Sequence, residues 1–171
     1  MTETLPVPAA SVADARVVRA IELIWREAAL LDAKDYEAWQ RLYAEDALYV
    51  IPIDRDAEDF DDVLNMVHDD ARMRELRVRR MTEGYAIAAV DSAITVRTVS
   101  RFVPTDVGDG SVSIKASQIV VAYKRGRHDL WAADVDYVVR LGADGAEDRL
   151  ARKVVRLINA DEAVPAAGFL L

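Results

Sequence analysis

The chain has 171 residues, a net charge of −8 and no cysteine. That length fits one domain able to bury roughly two-thirds of the surface exposed by its unfolded form, so it needs no disulfide or metal to fold. The missing thiols exclude a thiolate zinc site or an iron–sulfur cluster held by this chain alone, and the negative field disfavours nucleic acid as a partner.

Residues 1–10 hold two prolines and no clear period, and are expected as a flexible arm ahead of a single domain over 11–171. They contain neither a basic n-region nor an apolar h-region, and no later stretch approaches the ~20 apolar residues of a membrane span. A cytoplasmic location without membrane contact is the expectation. Ser11 offers a helix N-cap, with Asp14 in the first turn, where the helix dipole favours a carboxylate. Val17, Ile21, Ile24, Ala28 and Leu31 follow at helical spacing, which predicts one long amphipathic helix ending near Lys34. A short second helix is expected over residues 36–43, with Tyr36, Trp39 and Tyr43 on one side.

Residues 47–53 are β-rich and end beside Pro52, so they read as a strand. Residues 54–62 carry six acids in nine positions and read as a surface loop. Residues 61–80 are expected to be helical in two pieces, broken near His68, Asp69 and Asp70. The five arginines between Arg72 and Arg80 form a basic run flanked by acids, which predicts a solvated or interface helix face. Gly84 marks a stop. The period then changes to alternation over residues 92–103, 112–124, 130–141 and 150–158. Turn residues separate these runs at 106–110, at Gly126 and Arg127, and at 142–145. Helices first and long strands afterwards give an α+β pattern, with the helices packed into a curved antiparallel sheet that forms a cone.

Few residues offer chemistry. The glycine signatures of dinucleotide and phosphate loops and the nucleophile elbow are missing from the sequence. His68 and His128, with Asp69, Asp70 or Asp129 nearby, could compose a two-histidine, one-carboxylate iron face. Both histidines sit beside breaks in the pattern, which favours ordinary boundary positions. Asp134 and Asp136 share one face of a strand, while Trp131 and Tyr137 take the other. Facing the cone interior, the two aspartates would perturb each other and one could serve as a general base. Facing outward, they would pair with Arg140, Arg152 or Arg156, and that reading is preferred. The aromatic set Tyr36, Trp39, Tyr43 and Tyr49 reads as core. The apolar Phe169, Leu170 and Leu171 should tuck into a groove on this subunit or on a neighbour.

Ordered segments along the chain resemble a known family. Residues 27–32, then Trp39 and Leu42, then Asp46, Tyr49 and Pro52, resemble the opening of ring-hydroxylating dioxygenase β subunits. Asp69 and Asp70, followed by Leu76, Arg77, Val78 and Arg80, resemble that family's central helix. Residues 92–103 resemble its next block. Residues 137–140, then Ala151, Arg152, Lys153, Leu157, Phe169 and Leu170, resemble its closing strands. His68 stands where a tyrosine is common, Val90 and Asp91 replace a proline-rich lead, Arg101 replaces a common asparagine, and a tryptophan is missing near Asp148. These departures mark a divergent member.

The resemblance implies a nuclear-transport-factor-2-like (cystatin-like, SnoaL-like) fold. It also implies a homotrimer of this chain within an α3β3 hexamer whose α subunits carry a Rieske 2Fe–2S cluster and a mononuclear iron. This chain would then hold no cofactor, no metal and no catalytic residue, and would support assembly in aromatic compound catabolism. The other reading is a stand-alone enzyme of the same fold, a dehydratase or isomerase, or a small-ligand-binding protein. It needs an enclosed pocket on which Asp134, Asp136, Tyr49 or His68 converge.

Overall fold

The computed structural model describes residues 7–83, 93–162 and 168–171. Within the expected arm, residues 1–6 lie outside that set, and the Ala9 amide donates to the Pro104 carbonyl at 2.8 Å. Helix α1 spans Ala15–Asp32 and buries Val17, Ile21, Ile24, Ala28 and Leu31, the stripe read from the spacing. Its N-cap is Asp14 rather than Ser11. The Asp14 carboxylate accepts the Arg16 amide at 2.9 Å, and the Arg16 guanidinium beside it holds that carboxyl down at about 2. The carboxylate at the cap satisfies an amide that the helix itself leaves unpaired. The helix ends as expected. Lys34 takes a left-handed backbone (φ 58°), and the amides of Lys34 and Asp35 fold back onto the carbonyls of Leu31 and Leu30.

Helix α2 covers only Tyr36–Gln40, capped by Asp35. Tyr43, expected at its end, instead opens strand β1 (Tyr43–Pro52), where burial resumes on the core side. Residues 65–69, expected as helix, form strand β2 (Asn65–Asp69) paired antiparallel to β1. Five residues are too few to show a period, and their conformation comes from the neighbouring strand. Helix α3 (Ala71–Thr82) follows directly, with the Asp70 carboxylate accepting the Met73 amide at 2.8 Å. Its arginine run is only partly a solvated face. Arg74 is 2% exposed and donates to the carbonyls of Ala44, Ala47 and Asp69, so it ties α3 to β1. Arg77 pairs with buried Asp69, while Arg72, Arg79 and Arg80 face outward. Gly84, Val90, Asp91 and Ser92 lie outside the described residues.

Strands β3 (Ile94–Val107), β4 (Ser111–Lys124), β5 (Arg127–Arg140) and β6 (Arg149–Leu157) complete a six-stranded sheet in the order β2-β1-β6-β5-β4-β3. The sheet is not wholly antiparallel, because β1 and β6 run parallel. A parallel pair needs a long crossover, and here nearly everything between the first and last strands serves as one. The β4–β5 turn is Arg125 and Gly126, both at positive φ (50° and 80°), the two-residue hairpin type that matches strand twist. Along β3 the register shifts near Arg101, whose φ is 54°. That bulge bends the strand. Asparagine tolerates the left-handed backbone better than arginine does. α1 lies on the inner face, chiefly across β3. Val112, Ile114 and Val120 of β4, with Val135, Tyr137 and Val139 of β5, supply the core beneath it.

Candidate functional site

The cone interior holds a polar network that spacing alone did not single out. Glu27 occupies a position in the buried stripe of α1, and Lys153 an inward position of β6 next to Val155 and Leu157. The strand registers align Tyr49 of β1, Lys153 of β6 and Tyr137 of β5 in one row, and the Lys153 Nζ lies 5.8 Å from both tyrosine rings. That Nζ donates to Glu27 Oε1 at 2.8 Å and Oε2 at 3.0 Å. The Trp39 indole (2.9 Å) and the Tyr43 hydroxyl (3.2 Å) donate to the same carboxylate. Burial pushes the Lys153 ammonium below its usual range, against the attraction of Glu27, and pushes the hydroxyls of Tyr43, Tyr49 and Tyr137 up.

Residues 168–171 close over this network. Lys153 Nζ and the Tyr49 hydroxyl each donate to the Leu171 main-chain oxygen at 2.9 Å, and Arg97 donates to the Leu170 carbonyl at 3.1 Å. Asp32 anchors Arg97 at 2.8 Å, and Phe169 packs edge-to-face on Trp131 at 5.6 Å. The apolar tail therefore tucks into its own subunit. Chemically, the Glu27–Lys153 ion pair has its remaining hydrogen bonds committed to Trp39, Tyr43 and Leu171, while among the described residues the buried Tyr137 hydroxyl beside it and the buried Gln118 Oε1 have no hydrogen-bond partner. The pair can hold the helix, sheet and tail in register, but it presents no exposed acid or base.

The candidates read from the sequence do not converge there. Asp134 and Asp136 lie on the outer face. Asp136 pairs with Arg156 (2.9 Å), one of the three arginines the outward reading named, whereas Asp134 pairs with Arg55 (2.9 Å) and Arg101, which it did not. Arg140 pairs instead with Asp46. Tyr36, Trp39, Tyr43 and Tyr49 are core, the Tyr49 hydroxyl being committed to Leu171. His68 lies on β2 with Nε2 3.2 Å from Asp61, while His128 is the second residue of β5 and packs against Tyr123. Three strand spacings separate β2 from β5, roughly 14 Å at ~4.8 Å each, so the histidines cannot share an ion. Among the described residues, no three of His, Cys, Asp or Glu are grouped to hold a metal, and no helix is long and apolar enough to cross a membrane.

The outer face is the chemically distinctive surface. The loop between β1 and β2 crosses its β1–β6 side. Ala57 and Phe60 pack on Val50 and Val154, and Arg156 donates to the carbonyls of Arg55 and Ala57 at 2.6 and 2.7 Å. All six acids of that loop remain exposed, as expected of a surface loop, with Leu64 80% exposed beside them. Across β3–β5, toward the β4–β5 turn, apolar side chains instead align in rows. The strand pairings set Leu130 beside Val121 and Val121 beside Val96, with Tyr123 and Ile94 in the next row and Ile119 in the one before. Each of these side chains is 38–69% exposed. Arg156, Asp134, Ser117 and Ser100 form the polar row that bounds the patch on one side, and the Lys124–Arg125–Arg127–His128 tip bounds the other. A contiguous apolar sheet surface of this kind is a candidate contact site.

Residues 26–161 match a family model described as ring hydroxylating beta subunit. No curated protein matches the chain. Among solved structures, the fold is similar to the β subunit of the benzoate 1,2-dioxygenase from Burkholderia mallei, with a TM-score of 0.71 and 20% identity over 91% of this chain and 97% of that one. It is also similar to naphthalene 1,2-dioxygenase with indole bound in the active site, with a TM-score of 0.74 and 18% identity over 90% of this chain and 84% of that one. Likeness at such identities speaks for the nuclear-transport-factor-2-like cone alone. The family match covers most of the sequence and falls on the cone expected for it, and the chain belongs to the ring-hydroxylating β-subunit family.

Proposed function

We propose that this chain is the non-catalytic structural subunit of a Rieske-type aromatic-ring-hydroxylating dioxygenase. Three copies form a base that supports three α subunits in a cytoplasmic α3β3 assembly for aromatic compound catabolism. The α subunits hold the 2Fe–2S cluster and the mononuclear iron, and this chain supplies no cofactor ligand and no catalytic residue. The observation that carries the reading is the Glu27–Lys153 pair inside the cone, sealed by the chain's own residues 168–171. A stand-alone enzyme of this fold would need that space for its substrate. The exposed apolar rows on the outer sheet face add support, since a supporting subunit must offer such a contact.

The test is to purify the chain alone and together with an iron-bearing large subunit. The isolated chain should sediment at three times its mass and turn over no aromatic substrate. The reconstituted complex should oxidise an aromatic ring in proportion to the iron in the large subunit. Iron-independent turnover by the isolated chain, abolished by altering one interior carboxylate, would overturn the reading.

A further inference from the structure

We propose that the apolar outer face of β3–β5 docks onto the acidic β1–β2 loop of a second copy of this chain. The inference rests on the self-assembly reading above and assigns its contact surface. Two surfaces with matching chemistry adjoin on the outer face of the same subunit, and Arg55 of the loop pairs with Asp134 in the polar row between them. The first is the sheet patch centred on Val121 and Leu130, rimmed by the tip of the β4–β5 hairpin, where Lys124, Arg125 and Arg127 outnumber Asp129, which lies 4.0 Å from the 84% exposed Arg127 side chain. The second is the loop carrying Asp54, Asp56, Glu58, Asp59, Asp61 and Asp62, all exposed, with Leu64 and Ile53 as its exposed apolar residues.

An apolar centre with a basic rim fits an apolar centre with an acidic rim. Such complementarity sets orientation and favours this pairing over a patch-to-patch contact, which would leave the acidic loop unmatched. The loop is also held for the purpose. Ala57 and Phe60 anchor it to the sheet, and Arg156 fixes two of its carbonyls, so docking requires little ordering. The contact joins unlike surfaces, so it is heterologous. Repeated about a closing rotation, it generates a ring without leaving either surface bare.

Sedimentation velocity at micromolar concentration tests this on the full chain, alone and with a large subunit. The wild-type mass reports on self-assembly as such, and the variants report on this contact. Val121→Asp, or Ile94→Glu at the patch edge should the first not fold, is expected to give a folded monomer with unchanged far-ultraviolet circular dichroism. Arg127→Glu should weaken the oligomer at least tenfold, and adding Asp59→Lys with Asp62→Lys in the same chain should restore most of that loss. Folded patch variants that keep the wild-type mass would overturn the contact while leaving self-assembly intact. Variants that keep the oligomer but lose binding to the large subunit would also overturn it, since the face would then belong to that partner. A wild-type monomer would remove both readings.

Discussion

At the scale of single residues, Glu27 and Lys153 decide what the interior is. Each is at most 1% exposed at the side chain, and the pair is joined at 2.8 Å. Taking two charges out of water costs several kcal/mol per ion, and their attraction offsets this only while both are present with their other hydrogen bonds made. Glu27 has Trp39 and Tyr43 as further donors, and Lys153 has the Leu171 oxygen as a further acceptor. Lys153→Met should therefore destabilise the fold by about 3–5 kcal/mol, because it leaves a buried carboxylate without its cation. Glu27→Leu should cost a similar amount. The double variant should be less destabilised than either single one, since it buries no lone charge. Urea unfolding midpoints at constant m-value measure all three. Additive losses in the double variant would show that the two groups act independently and that the row of Tyr49, Lys153 and Tyr137 does not depend on the pair.

Among the elements, the 168–171 segment carries a role out of proportion to its length. Phe169 is 7% exposed and meets the Trp131 ring edge-on, while the two residues after it accept hydrogen bonds from Arg97, Tyr49 and Lys153. Phe169→Ala should cost about 3 kcal/mol, the low end for an aromatic removed from a core, because the short segment can partly settle into the gap. Thermal unfolding would show it as a fall of several degrees, whereas a shift near zero would mean that the tail does not seal the cone. Burial of this tail was legible in the sequence, because three apolar residues beside no charge have little reason to stay in water. Strands β3 to β6 were legible for a comparable reason, since long alternation and turn residues are local signals. β2 was not, because its five residues run straight into α3 and owe their extended shape to β1. The parallel β1–β6 pairing was equally hidden, because it joins the first and last strands of the sequence side by side within the sheet. Glu27 left a trace that could have been followed. It sits within the apolar stripe of α1, and Lys153 falls on the inward side of an alternating strand. A charge at each of two core positions is the mark of a buried pair.

For the molecule as a whole, the question is which side of the sheet faces function. The inner side is filled by α1, the ion pair and the tail, and the outer side carries carboxylates, cations and exposed apolar rows. Asp134 and Asp136 would matter to catalysis only if they met a substrate. Asp136 and Arg156 are 17% and 10% exposed at the side chain and paired at 2.9 Å, and Arg156 also holds the β1–β2 loop through the carbonyls of Arg55 and Ala57. Asp136→Asn removes the charge but keeps the shape. It should cost about 1.5–3 kcal/mol, the range of a hydrogen bond to a charged group, and it should loosen the loop. Trypsin would then cut after Arg55 faster than in wild type. Asp134→Asn, at a half-exposed site, should cost less, within the ~1 kcal/mol of a surface pair. Neither change should alter kcat of a complex reconstituted with an iron-bearing large subunit by more than about twofold, because both carboxylates face away from the cone and are paired with arginines. A tenfold fall in kcat with the loop intact and the assembly unchanged in mass would place these carboxylates at the reacting centre, and a scaffold role for this subunit would no longer account for the enzyme.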